Sequence, residues 1–418
     1  MDLAILLVLA GCGDPYRHWP DPAEVFPAVY TPEAELESYE AVRWETETWD
    51  PVQDAEQAGL YLLKAANHRP GAPVESLVHF AAMRGQLPPL TGGGTRLSLV
   101  GDILPMGSDP QLYPGLADQV AHLLDGDLRI GNLETPTSPD EPTELDDLPG
   151  LYTFNAPTTL VDALPLDVLQ LNNNHSLDLG DAGLEATVAV VEERGFTVTG
   201  VDTHPVLSAG GRDVAVLSYT WGLNNRDEPT VHDLFVVPFG HIGEPLDLEQ
   251  TRAQIAAARG QADSVVVLLH WGFEYEYYPD PHFMGIARDL VAAGADVVAG
   301  HGPHTVQPAE RCEVNRPEVS PGVGTCSVRS DDGVPRTAVV LHSLGNFATM
   351  MPTVPCQVGL VATVELDPDV VGVGWQAVVS LDDPGNARLA PLDDLLDDEV
   401  YAGEAARLDA HLGATWRR

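Results

Sequence analysis

From Arg96 onward the chain alternates short apolar runs with segments whose apolar residues recur at helical spacing. Runs at Leu97–Val100, Val168–Leu171, Val214–Tyr219, Ser264–Leu269, Asp296–Ala299 and Ala338–Leu341 read as strands. The stretches Leu116–Leu124, Gly183–Arg194, Leu248–Ala258 and Pro281–Ala293 read as helices. Such alternation predicts an α/β domain. Gly359–Leu366 and Val371–Ser380 then read as a closing antiparallel pair, and the acidic run Asp393–Asp398 leads into a helix over Glu399–His411. Upstream, Asp54–Asn67 and Val74–Arg84 carry helical periodicity on either side of Arg69-Pro70-Gly71-Ala72-Pro73. Leu90–Thr95 is a Gly-rich linker into the first strand; it lacks the Gly-Lys-Ser/Thr of a phosphate loop.

Most of these strands end in a polar cluster. The clusters are Asp102 after Gly101, Asn132 and Glu134 in Gly131-Asn132-Leu133-Glu134, Asn172-Asn173-Asn174-His175, His270-Trp271-Gly272, and Gly300-His301-Gly302-Pro303-His304. Parallel strands of an α/β sheet end on the same side, so groups spread over two hundred residues can meet in one crevice. Each has an ordinary reading taken alone, Asp102 as a turn residue and His270 as a half-buried strand-end histidine. Five together at strand ends point to a site. Carboxylate, carboxamide and imidazole without thiolate suit manganese, iron(II) or catalytic zinc better than structural zinc.

In their order these clusters resemble the bacterial CapA family of capsule and poly-γ-glutamate synthesis proteins. The resemblance rests on Asp102, Gly131 to Glu134, Asn173 to Asp178 followed by Gly180, His270-Trp271-Gly272 with Glu274-Tyr275, Gly300 to His304 with Gln307, and Ser343-Leu344-Gly345-Asn346-Phe347. It covers about Arg96 to Thr349, on to about Ser380, and implies a metallophosphatase-like four-layer αββα sandwich, here with an N-terminal helical extension. The residue types allow Asp102, Glu134, Asn174, His270 and one or both of His301 and His304 to hold one or two divalent ions (Mn, Fe or Zn), with Asn132 a further ligand or a group that orients ligands, and the resemblance implies His175 as general acid or transition-state hydrogen-bond donor. Asp178, Trp271, Glu274, His342 and Asn346 then fix loops and orient ligands, and Trp271 is large enough to wall a pocket. The chain departs from the wider metallophosphoesterase pattern. Asp102-Ile103-Leu104 replaces Asp-x-His, Gly131-Asn132 replaces Gly-Asp, and His-x-x-His replaces His-x-His, which leaves open which of His301 and His304 reaches a metal.

Composition narrows the function. Of 418 residues 44% are hydrophobic, ordinary for a globular protein. With 63 acidic against 21 basic residues the formal net charge is -42, which repels nucleic acid. An anionic cell-surface polymer or phosphoester would have to be drawn in locally, by metal or a few arginines. Lys64 is the only lysine, which disfavours Schiff-base chemistry, and no Gly-x-Ser-x-Gly elbow marks a serine hydrolase. Two classes remain: a metal-dependent hydrolase or transferase, and a non-catalytic subunit working with capsule synthesis or export proteins.

Leu9-Ala10-Gly11-Cys12 follows an apolar run too short for a membrane span and resembles a lipobox. It predicts a lipid on Cys12 and an extracytoplasmic protein held at the bacterial envelope, although no basic residue precedes the run. The expected division is 1–12 signal peptide, 13–95 Pro/Glu-rich tether and helical extension, 96–380 main domain, and 381–418 acidic C-terminal helical tail. Cys312 and Cys326 bracket a Pro- and Gly-rich insertion that a disulfide would close, worth roughly 3 kcal/mol by loop-closure entropy. Cys356 has no evident partner, and three pairings of these cysteines are open.

Overall fold

The run Ser-Val-Val-Val-Leu-Leu-His at 264–270 is buried at all seven positions, which a strand achieves when both faces of its sheet are covered. The computed structural model describes residues 74–141, 146–148, 151–224, 230–237, 247–383 and 385–413. In chain order its strands are β1 (Thr95–Ile103), β2 (Leu128–Leu133), β3 (Asp146–Leu148), β4 (Leu151–Thr153), β5 (Val168–Gln170), β6 (Thr197–Thr199), β7 (Val206–Ala209), β8 (Arg212–Thr220) and β9 (Ser264–His270). They continue as β10 (Val297–His301), β11 (Ala309–Val314), β12 (Cys326–Val328), β13 (Arg336–Leu341), β14 (Asn346–Ala348), β15 (Val358–Leu366), β16 (Val370–Asp383) and β17 (Asn386–Pro391). The helices are α1 (Val74–Met83), α2 (Thr158–Asp162), α3 (Gly180–Glu193), α4 (Glu249–Arg259), α5 (Pro281–Ala293), α6 (Val354–Gln357) and α7 (Glu399–Leu412).

One sheet runs β17-β16-β15-β1-β2-β5-β6 with β14 alongside β1, the other β12-β11-β13-β10-β9-β8-β7; β3 and β4 form a separate hairpin. Leu97, Leu99, Ile130 and Val168 of the first sheet share one core with Val216, Val266, Leu268, Val297 and Val339 of the second. The outer face of the first sheet packs Val100, Ile103 and Leu133 against Leu160 and Val161 of α2 and Leu184 and Val191 of α3. The outer face of the second packs Val265, Val267 and Val298 against Ile255 of α4 and Phe283, Ile286 and Leu290 of α5. This is the expected helix-sheet-sheet-helix stack. In each sheet a parallel block (β1, β2, β5, β6 and β8, β9, β10, β13) sends its C-terminal ends to the site.

The helix expected over Leu116–Leu124 is instead a string of tight turns. The N–H groups of Leu116, Val120 and Leu123 bond three residues back to Tyr113, Ala117 and Val120, and only Ala121–Leu123 forms a 3-10 turn. Gly115 at φ 83° starts it abruptly, and at Gly126 a Cβ would meet Ser98 N at 2.6 Å. Leu116, Val120 and Leu123 are nevertheless buried as the periodicity required. The predicted helix over Asp54–Asn67, and the whole segment with Cys12, lie outside the described residues.

Cys312 and Cys326 are bonded, facing each other across β11 and β12, and Cys356 is buried and in no disulfide among the described residues. Beyond residue 380 the chain completes β16, adds β17, and places Ala405, Leu408 and Leu412 of α7 in the core between the sheets.

The Gly-rich linker before β1 does hold an anion, one of the protein's own. Glu365 accepts from the N–H groups of Thr91, Gly93 and Gly94 at 2.5, 2.5 and 2.8 Å. Burial alone would raise its pKa; the amides of Gly94, Thr91, Gly92 and Gly93 outweigh that and hold it down to about 2. A folded-state pKa below the unfolded one gives stability that is complete above the ordinary carboxylate range and lost as pH falls through about 2. Glu365→Gln should therefore unfold at lower denaturant than wild type at pH 7, with the difference closing as unfolding is measured toward pH 2.

Candidate metal centre

Sheet register assembles the site. In the first sheet Asp102 of β1 stands opposite Asn132 of β2 on one side and Asn346 of β14 on the other. In the second, His270 at the end of β9 stands opposite His301 at the end of β10. Two glycines let backbones cross closely enough for this. A Cβ on Gly101 would fall 1.9 Å from Gly345 O, and one on Gly300 would fall 1.9 Å from His342 O. His304 (φ 58°) and Tyr275 (φ 64°) sit in the left-handed region without being glycine, a local strain typical of functional sites.

Asp102 accepts from Asn132 Nδ2 (2.7 Å) and from the Gly302 N–H (2.9 Å). Burial nevertheless pushes its pKa up to about 7, with Glu274 adding to the rise and the two hydrogen bonds opposing it. Glu134 is more exceptional: it is fully buried, and neither carboxylate oxygen has a hydrogen-bond partner. Its neighbours are His270 Nε2 at 3.6 Å and His304 Nε2 at 3.8 Å. Burial, then Asp102, Glu274 and Asp178, drive its pKa well above the usual range. Burial also holds His301 and His304 down to about 4 and His270 well below its ordinary value.

The imidazoles are therefore neutral, with their ring nitrogens sorted by their neighbours. His304 donates Nδ1–H to Asn346 Oδ1 (3.0 Å), leaving the Nε2 lone pair toward Glu134 and toward Glu274 at 3.8 Å. Asn346 is itself anchored through Nδ2 to Cys356 O (2.8 Å). His301 donates Nε2–H to Val100 O (3.1 Å), and its Nδ1 is buried without a partner. His270 Nδ1 lies 3.2 Å from Asn132 Nδ2, and Asn132 is fixed in turn by Asn173 (3.1 Å). Ligand atoms of Asp102, Glu134 and His270 all lie within 4.8 Å of one another. Orphaned carboxylate oxygens facing the Nε2 lone pair of His304, whose other nitrogen is anchored on Asn346, fit a divalent cation.

His175 forms a second part of the site. Its Nδ1–H donates to Asp178 Oδ2 (2.7 Å), and its ring stacks on Phe154 with centroids 4.2 Å apart. It lies close enough to His270 and His304 to depress their basicity. Two expected supporting residues face elsewhere. Trp271 is core between the second sheet and α5, with Nε1 donating to His342 O (3.2 Å), so it braces strand ends; a large apolar ring beside Phe283 is drawn inward. His342 turns its ring to Glu310 (3.1 Å), which also holds His79 of α1 (2.7 Å) and Arg288 (2.6 Å). Phe154 and Asn224 also contact the site and carry no local signal in the sequence, whereas Asn173, which holds Asn132, lies within the Asn172–His175 cluster.

A family model described as bacterial capsule synthesis protein PGA_cap matches residues 96–351. The chain is similar to the capsule biosynthesis protein CapA of Bacillus anthracis, 26% identical over 243 residues (54% of this chain, 51% of the relative). It is similar to the PGA biosynthesis protein CapA of Bacillus subtilis, 28% identical over 230 residues (53% of each). It also resembles a probable polyglutamine synthesis accessory protein of Mycobacterium tuberculosis, 27% identical over 207 residues (44% of this chain, 51% of the relative). The chain spans about half the length of these relatives.

An unpartnered buried charge should be visible in stability. In chelator at pH 8, Glu134→Gln should unfold later than wild type, by on the order of 1 kcal/mol or more, because an amide is cheaper to bury than an unpaired carboxylate. Added manganese should stabilise wild type and leave the variant nearly unchanged in the same thermal melt.

Proposed function

The chain belongs to the bacterial capsule synthesis protein PGA_cap family, and from that premise we propose that it is a metal-dependent hydrolase or transferase acting in capsule or poly-γ-glutamate biosynthesis. Its substrate is a phosphoester or an amide-linked anionic surface polymer, in keeping with the names of its relatives. The observation that carries the reading is Glu134, whose buried, unpartnered oxygens face two neutral imidazoles. Asp102, Glu134, Asn174, His270 and one or both of His301 and His304 would hold one or two ions of Mn, Fe or Zn. His304 approaches the carboxylates more directly than His301, at 3.6 Å from Asp102 and 3.8 Å from Glu134. Asn132, engaged by Asp102 and Asn173, orients ligands.

A bound divalent ion supplies a polarised substrate oxygen and an acidified water. His175 donates the proton to the leaving group from Nε2, since Asp178 holds Nδ1 and thereby fixes the ring. Glu274, in the turn after β9, lies 3.8 Å from His304 Nε2 and orients the His304 ring. A second reading, a non-catalytic subunit of a polymer export complex, draws on burial: Glu134 is 0% and His175 6% exposed, which restricts entry of a polymer.

Purified protein loaded with manganese or zinc should retain one to two ions per chain, as expected for mono- or two-metal sites. His270→Ala with His304→Ala should lose them and stay folded. His175→Ala should keep the metal and lose about 10²- to 10⁴-fold in turnover across a panel of phosphoesters and γ-glutamyl peptides. Full activity in that variant would favour the binding subunit.

We also propose that Cys12 is lipidated and that the protein is anchored outside the cytoplasm; the Cys312–Cys326 disulfide supports an oxidising compartment. Cys12→Ser should move the protein from the membrane to the soluble fraction of its host, or leave an unprocessed precursor.

A further inference from the structure

Asn174 carries an unexplained atom. Its Oδ1 is buried and without a partner, while its Nδ2 donates to Asn224 Oδ1 at 3.3 Å. A carboxamide has one acceptor and one donor end, and rotation by half a turn exchanges them. Whichever neighbour claims one end decides which end is left over. Asn224, just past the end of β8 in the other sheet, claims the donor end with its own oxygen. Its backbone N–H also donates to Asn174 O (2.8 Å), and its Nδ2 lies 3.4 Å from His175 Nε2. One side chain thus touches both residues of the Asn174-His175 pair.

We propose that Asn224 is a positioning residue that fixes the carboxamide of Asn174 with its oxygen free for a cation. The inference rests on the metal-centre reading given above. An Asn174 flipped the other way would offer two N–H donors, which repel a cation. With no acceptor at 224, neither orientation is preferred.

The side chain can be separated from the backbone clamp, because the Asn224 N–H bond to Asn174 O survives any substitution except proline. Asn224→Leu keeps approximate shape and removes the acceptor. Asn224→Asp restores an acceptor for Asn174 Nδ2. Manganese binding to chelator-treated full-length protein is measured by calorimetry, beside thermal melts of the metal-free forms. Loss of an outer hydrogen-bond partner typically weakens metal binding 10- to 100-fold. The expected result is a loss in that range for Asn224→Leu, affinity within threefold of wild type for Asn224→Asp, and metal-free melts close to wild type for both. Equal manganese affinity in Asn224→Leu and wild type overturns the inference. So does an affinity loss in Asn224→Leu that Asn224→Asp does not restore. No manganese binding by wild type removes the metal-centre reading instead.

Discussion

A carboxylate buried without a single hydrogen-bond donor sets the terms for this protein. Leaving such a group charged in a dry interior costs several kcal/mol, and Glu134 has neither backbone N–H nor side-chain donor to offset it. Its surroundings look built to keep it that way. His304 turns Nδ1 outward to Asn346, and Asn132 gives its donors to Asp102 and to the His270 side instead of to Glu134. The Nε2 lone pair of His304 is thereby left facing Glu134, while His270, whose Nδ1 accepts from Asn132, carries its proton on Nε2, 3.6 Å from Glu134. A divalent cation would satisfy the carboxylate oxygens of Glu134 together with the His304 lone pair.

The fold supplies the rigidity this requires. The ligand-bearing positions are strand ends, where hydrogen-bonded register fixes the backbone, and the glycines at 101 and 300 let neighbouring chains approach to distances no side chain would permit. Support also comes from beyond the matched family span. Cys356 O holds Asn346, which holds His304. Arg407 of α7, paired with Glu404 and lying 4.4 Å over the Tyr277 ring, donates to Val306 O two residues beyond His304. On the far side Glu310 ties α1 to β13 through His79 and His342. The two ends of the described chain therefore brace the loops that carry the site, and residues 352–413 belong to its architecture as much as the motifs do.

The net charge of -42 takes on a different meaning beside this geometry. The acidic surplus lies mostly outside the centre, while the few arginines inside the fold are spent on structural carboxylates, Arg336 and Arg259 on Asp296 and Arg407 on Glu404. Even the Gly-rich loop before β1 spends its amides on Glu365. Positive charge inside the fold is thus scarce, so in the proposed reading a cation at Asp102 and Glu134 would have an electrostatic role toward an anionic substrate in addition to a chemical one.

The alternation of strands and helices was legible in the sequence, because strand burial on both faces demands continuous apolar runs and helix burial on one face demands a period. That Asp102, Glu134, His270 and the Gly300 to His304 cluster would meet also followed from the sequence, since parallel strands end on a common side. The preferred partner of Cys312 was legible too. Contacts between residues far apart in the chain were not. Nothing local distinguishes His304, which faces the carboxylates, from His301, which spends Nε2 on the carbonyl of Val100 two hundred and one positions away. The inward turn of Trp271, the pairing of His342 with Glu310, and the grip of Asn224 on Asn174 depend on which sheet lies across the crevice. Periodicity reports which face of an element is buried; only tertiary structure decides which lone pair meets which donor once two faces are brought together.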